Sequence, residues 1–112
     1  MRTARNEIPE WLELTRSAVA SHRRRALQAL CPCEVKSDNP EVWQRVLEMV
    51  DDPDNAVRRW VIHVLCDGSP ARYRDQIVKA LEERYNDSDP RVRKSVRKAL
   101  NSQRRSGTVN VL

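Results

Sequence analysis

The chain repeats itself at intervals of 35 residues, and this period restricts its fold more than any other feature. Apolar and basic positions coincide at that interval without a gap; examples are Leu30, Leu65 and Leu100, together with Arg23, Arg58 and Arg93. Periods of about 20 to 50 residues are typical of solenoids, in which neighbouring units bury each other's apolar faces. The sequence therefore predicts one domain over residues 1–103, with units at about 4–37, 38–72 and 73–103, followed by a tail at 104–112.

Each unit is predicted to be a pair of helices joined by a short turn, which is acidic in units two and three. In the second unit, Asn39 and Pro40 are residue types that begin helices, and an apolar face at helical spacing follows them. The stretch DDPD at residues 51–54 ends that helix and supplies caps for the next one, as NDSDP does at 86–90. With only 2 glycines and 4% aromatic residues, the composition also favours helices over strands. The predicted fold class is all-α, a right-handed α-solenoid of three helical hairpins.

The residues around these turns resemble HEAT repeats of the short bacterial kind. In that family an Asp stands in the turn between the helices, and a Val-Arg pair opens the second helix. The matching residues are Asp52, Val57 and Arg58 in the second unit, then Asp87, Val92 and Arg93 in the third. The first unit has Ser17 in place of the Asp, although Arg23 is kept. The resemblance covers the chain up to about Gln103 and implies a generic binding scaffold.

Four of these residues, Asp52, Arg58, Asp87 and Arg93, are predicted to form a ladder that fixes how the units stack. An Asp six residues before an Arg spans the turn, so its carboxylate can meet an Arg of its own unit or of the next one. Such charge-assisted hydrogen bonds contribute about 1 to 3 kcal/mol each when partly buried, and far less when exposed. We therefore interpret these residues as architectural.

The second helix of each unit is expected to line a concave inner wall of the stack. Its positions outside the apolar face are mostly basic or polar, and the binding candidates among them are Arg24, Gln28, Arg59, His63, Lys94, Arg97 and Lys98. Arg24, Arg59 and Lys94 form a row, about 10 Å apart if neighbouring helices pack normally. Such a row suits a protein partner with an acidic surface.

Two other interpretations of these basic residues stay open. From Pro90 to Leu112 there are seven basic residues and no acidic one, which also suits a solvated cap on the open end of the stack. The basic row can also face the phosphates of nucleic acid, which is the alternative function. Against that alternative, the 3 Trp fall on apolar faces and not among the arginines, where bases would stack.

Cys31, Cys33, His63 and Cys66 raise a third and minor hypothesis, a small zinc-binding protein. Cys31 and Cys66 are equivalent positions, and His63 shares a helix face with Cys66, so these side chains can converge in one corner. Neither C-x-C nor H-x-x-C has the usual spacing of paired zinc ligands. Small cysteines that fill the gap between helix ends explain the same residues. From the sequence we therefore assign no metal ligand and no cofactor.

Catalysis and membrane insertion find no support in the sequence. There is no nucleophile elbow, glycine-rich phosphate loop or H-E-x-x-H motif, so we predict that the chain is not an enzyme. No apolar run approaches the roughly 20 residues that span a bilayer, and the first residues do not resemble a signal peptide. The 3 cysteines indicate a reducing, cytoplasmic setting. The oligomeric state is left open, with dimerisation through an end face as one alternative, and so is the role of the tail.

Overall fold

The computed structural model describes residues 3–32 and 38–112, which form helices, turns and loops without any strand. In chain order the α-helices of this part are α1 (Ile8–Leu14), α2 (Ala20–Leu30), α3 (Pro40–Glu48), α4 (Asn55–Leu65), α5 (Arg74–Glu83) and α6 (Pro90–Ser106). Short 3-10 helices at Arg5–Glu7, Met49–Asp51 and Ala71–Tyr73 adjoin them. The all-α prediction is confirmed. The last helix continues to Ser106, beyond residue 103 at which the domain is predicted to end.

The six helices form two layers. The second helices stack on one another, α2 against α4 and α4 against α6, and these are the most extensive contacts between units. The first helices approach each other less closely, with α3 touching α5. Within each hairpin the two helices also pack together. This arrangement is the stack of three hairpins that the 35-residue period predicts.

The core lies between the layers and between the units. Leu27 and Ile62, at equivalent positions of α2 and α4, have no exposed surface, and the same holds for Val57 and Val92. Each fully buried side chain of this size contributes about 1.5 to 3 kcal/mol relative to an exposed one. Because equivalent positions are buried at each junction, the apolar period of the sequence is the period of the stack.

Acidic residues of the turns cap the helices that follow. The Asp54 carboxylate accepts a hydrogen bond from Val57 N at 2.9 Å, and Asp89 accepts from Arg91 N at 2.7 Å. The side chain of Asn39 caps α3 in the same way, with Pro40 as the first helical residue. These caps satisfy backbone N–H groups that have no partner inside a helix.

An arginine of each of the first two units pairs with the turn aspartate of the following unit. Arg23 donates through Nε and Nη2 to the two oxygens of Asp52 at 2.9 and 3.0 Å. Arg58 makes the same two-pronged contact with Asp87, also at 2.9 and 3.0 Å. Each pair joins residues 29 positions apart, so the carboxylate belongs to the next unit and not to the arginine's own.

The arginines at this position of the repeat also bind carbonyl oxygens of the turn in their own unit. Nη1 of Arg58 donates to the carbonyl oxygen of Asp52 at 2.9 Å, and Nη1 of Arg93 donates to that of Asp87 at 2.7 Å. Arg93 pairs with no carboxylate in the part of the chain that the structure describes. Among the described residues, Arg93 therefore holds its own turn and joins no further unit.

Asp87 is the more buried carboxylate of the two pairs, with 1% of its side chain exposed against 8% for Asp52. Burial opposes its ionisation. The hydrogen bonds from Arg58 and from the Asp89 backbone, together with the charges of Arg58 and Arg84, outweigh that effect and lower the pKa of the Asp87 carboxyl. Asp87 is therefore held ionised inside the stack.

The C-terminal segment folds back onto the loop between α4 and α5. Gly107, with φ of 73°, ends α6 in the left-handed conformation that glycine adopts without strain. Val109 is buried, and the side-chain oxygen of Asn110 accepts hydrogen bonds from the N–H groups of Gly68 and Ser69 at 2.9 and 2.8 Å. The tail is thus a structural part of the junction between units two and three.

We expect Asp87→Asn to lower the free energy of unfolding at neutral pH by about 3 to 5 kcal/mol, because it leaves the buried Arg58 guanidinium without its carboxylate. Urea unfolding followed by circular dichroism measures this change. Asp51→Asn is the matched control, since Asp51 is exposed in the equivalent turn of the second unit. Equal stability of the two variants would contradict the structural role of the pair.

We expect the contribution of Asp87 to the free energy of unfolding to decrease at acid pH. The pKa of Asp87 is lower in the folded state than in the unfolded state. Its contribution to the free energy of unfolding is therefore complete above the unfolded pKa of about 4, and it is lost as the pH falls through the pKa of the folded state. The difference in unfolding free energy between the wild type and Asp87→Asn should therefore shrink below about pH 4. Denaturant unfolding at a series of pH values tests this; a constant difference down to the acid limit would refute it.

Candidate interaction surface

The charges of the helices are divided between the two layers. The second helices α2, α4 and α6 contain three, two and seven Lys or Arg residues, and no Asp or Glu. The first helices α1, α3 and α5 contain two, two and three acidic residues. The second-helix layer is therefore the basic side of the protein, and its accessible part is the candidate surface.

We define the second-helix wall as the exposed and half-buried side of this layer. It consists of three columns at equivalent positions of the units: Arg24, Arg59 and Lys94; Arg25, Trp60 and Ser95; Gln28, His63 and Lys98. Among these, Arg24, Lys94 and Lys98 make no hydrogen bond or ion pair within residues 3–32 and 38–112. Their charges are available to a partner.

Arg59 differs from the expectation that it is a free cation of the wall. Its Nη1 donates to Asp89 Oδ2 at 2.7 Å, and 33% of its side chain is exposed. Burial opposes ionisation of Asp89, but hydrogen bonds from the backbone of Arg91 and Val92 and the charge and hydrogen bond of Arg59 lower the pKa of this carboxyl. Arg59 therefore joins units two and three, and much of its charge is neutralised.

Arg97 is not part of the wall, which corrects its assignment as a binding candidate there. Its position in the repeat matches Leu27 and Ile62, which are buried at the junctions between units. In the last unit the guanidinium lies over the ring of Tyr85, 4.3 Å from its centroid, and donates to the Tyr85 carbonyl oxygen. Arg97 thus covers the end face of the stack.

Trp60 is a feature of the wall that the sequence analysis missed. The side chain was expected on an apolar column, but it is only half-buried and meets the His63 ring edge-on, with centroids 5.0 Å apart. Trp43, by contrast, is buried against Tyr73. The polar residues Arg25 and Ser95 occupy the same column as Trp60, and this signal in the sequence indicates a solvent-facing position.

A corner at one edge of the wall brings together a thiol, an imidazole and a carboxylate. Asp67 Oδ2 lies 3.4 Å from Cys31 Sγ and 3.3 Å from His63 Nε2. The three atoms all lie within 4.8 Å of one another. Cys31 and His63 thus converge, as the zinc hypothesis required. Asp67 was missed, although its position four residues after His63 was visible in the sequence.

Cys66 is not a member of this group, which corrects its place in the predicted set of metal ligands. It is fully buried, and burial raises the pKa of its thiol to about 12. Among the described residues, the side chains close enough together to hold a metal ion are those of Cys31, His63 and Asp67, without Cys66. Cys33, the fourth predicted member, lies outside the described residues.

The comparisons with known proteins agree with this architecture. The family described as HEAT repeats matches residues 8–101, which confirms the resemblance. Comparison with curated proteins and with solved structures gave no significant match. No helix of the described ranges is both long and apolar enough to cross a membrane. HEAT repeats commonly act as scaffolds that bind other proteins and are typically not catalytic. With its stacked hairpins and a family match over most of its length, this chain belongs to the HEAT-repeat family.

Proposed function

We propose that this chain is a non-catalytic interaction module that binds the acidic surface of a protein partner on its second-helix wall. The observation that carries the proposal is the complete absence of acidic residues from the three second helices. The arginines of the ladder use their charges inside the stack, whereas Arg24, Lys94 and Lys98 do not. We also propose a cytoplasmic location and a single domain, whose predicted end at residue 103 is moved to include the rest of α6 and the C-terminal segment packed behind it.

Trp60 gives this wall an apolar contact in its second unit. Tryptophan and arginine are enriched among the few residues that dominate binding energy at protein interfaces, and surrounding charges mainly set specificity and association rate. Trp60 is half-buried, so its orientation is fixed by packing before a partner arrives. The second helices contact one another more extensively than the first helices do. Such contacts curve a stack towards its second layer, so we propose that the wall is concave.

Reversing two charges of the wall tests this proposal. We expect Arg24→Glu with Lys94→Glu to reduce capture of the partner from a nuclease-treated host lysate by at least about tenfold, since like charges then face the acidic partner. Arg59 is left intact, because a glutamate there would stand beside Asp89. Quantitative mass spectrometry of the captured proteins gives the measurement.

The matched control reverses Arg16 and Lys79, two exposed cations outside the wall, and so produces the same net charge. Circular dichroism establishes that both double variants keep the helical content of the wild type. Equal loss in both variants would assign the effect to net charge, and unchanged capture in the wall variant would exclude the wall as the binding surface.

Nucleic-acid binding is the second candidate, and the half-exposed Trp60 beside basic columns favours it more than the sequence alone does. A backbone binder releases counterions, so the logarithm of its affinity falls steeply and linearly with the logarithm of salt concentration. Fluorescence anisotropy with labelled duplex and single-stranded DNA over a salt series measures that slope. Absence of binding at low salt would discard this candidate and leave the protein-binding proposal in place.

A further inference from the structure

The corner formed by Cys31, His63 and Asp67 lies where the ends of two second helices meet. Cys31 directly follows α2, His63 is in the last turn of α4, and Asp67 follows that helix. Cys31 is buried, whereas His63 and Asp67 keep 37% and 31% of their side chains exposed. The group is therefore fixed from the protein side and accessible from solvent on the other side.

Two of the three distances in this corner are close to those between ligand atoms of a tetrahedral metal ion. Zinc binds sulfur at about 2.3 Å and nitrogen or oxygen at about 2.0 to 2.1 Å, so neighbouring ligand atoms in a tetrahedral site are about 3.3 to 3.6 Å apart. Asp67 Oδ2 lies 3.4 Å from the sulfur and 3.3 Å from the imidazole nitrogen. The sulfur and the imidazole nitrogen lie within 4.8 Å of each other, so an ion that contacts all three atoms would draw these two closer together.

We propose that Cys31 Sγ, His63 Nε2 and Asp67 Oδ2 bind a zinc-like divalent ion. A thiolate and a carboxylate together balance its two positive charges, and imidazole completes a mixed set of ligands that zinc accepts. Thiolate selects against magnesium and calcium, which prefer oxygen ligands. Three protein ligands leave a fourth position on the solvent side for water.

Comparison with the next junction shows that this ligand set is not a general feature of the packing. The equivalent positions between units two and three are Cys66, Lys98 and Ser102. The cysteine recurs there, as expected for a small residue between helix ends, but the histidine and the aspartate do not. The contacts of Cys31 and His63 with Asp67 belong to the packing of the first corner, but they give no reason for three ligand types in this junction and not in the next.

A bound ion joins two units, because Cys31 belongs to the first unit and the other two ligands to the second. Anything that binds the folded chain and not the unfolded one raises its stability by mass action. The ion therefore stabilises the junction between units one and two. It also fixes the ring of His63, which touches Trp60 on the wall.

Cobalt(II) is the probe, because tetrahedral thiolate sites give it intense visible bands and a sulfur-to-metal charge-transfer band. We expect the reduced, full-length protein to develop both with one equivalent of cobalt, and zinc to displace them. The thermal midpoint should rise with zinc and return to its original value with a chelator. Absence of a charge-transfer band at near-stoichiometric cobalt would overturn the proposal.

Variants assign the ligands. Cys31→Ser should abolish the charge-transfer band, and Cys66→Ser, the matched control, should keep it. Asp67→Asn, at a half-exposed position that a folded chain tolerates, should weaken cobalt binding by at least about tenfold. A band that survives Cys31→Ser but disappears in Cys33→Ser would refute this ligand set. Circular dichroism of each variant establishes that it is folded, and Asp67→Asn tests the site even if Cys31→Ser does not fold.

Discussion

The pairing of an arginine with an aspartate of the following unit is the contact on which the rest of the structure depends. Arg58 is 7% exposed and Asp87 5%, so either charge without the other would be costly to bury. The same guanidinium holds the carbonyl oxygen of Asp52 in its own turn. One side chain therefore fixes both a hairpin and the position of the next hairpin, which brings equivalent residues of the second helices into line on the wall.

The two ends of this ladder are built differently. At the first turn Ser17 replaces the aspartate, and its hydroxyl accepts a hydrogen bond from Val19 N within the turn. At the last turn Arg93 has its own carbonyl partner and no carboxylate in the described ranges. In a second copy stacked head to tail, Ser17 would meet Arg93 with a hydroxyl group in place of a carboxylate. The end that Arg97 and Tyr85 cover is also more polar than an internal junction.

The sequence predicts well those features of the structure that recur with the 35-residue period. The hairpins and the residue types of the Arg58–Asp87 pair recur every 35 residues, and recurrence reveals them. Contacts that occur once escape this argument: Arg97 follows a buried column but ends a stack, and Asp67 meets Cys31 only across a junction. The exposure of Trp60 could be predicted in part, because polar residues occupy the equivalent positions of the neighbouring units.

At each junction between units, polar contacts join the two units near the starts and near the ends of their second helices. At their starts Arg23 and Arg58 make the ladder contacts. At their ends the two junctions differ: units one and two meet at the corner of Cys31, whereas Leu112 N donates to the Cys66 carbonyl oxygen at 3.0 Å between units two and three. Two fixed points prevent one hairpin from rotating on the next. A wall held in this way is ordered before a partner binds, so less conformational entropy is lost on association.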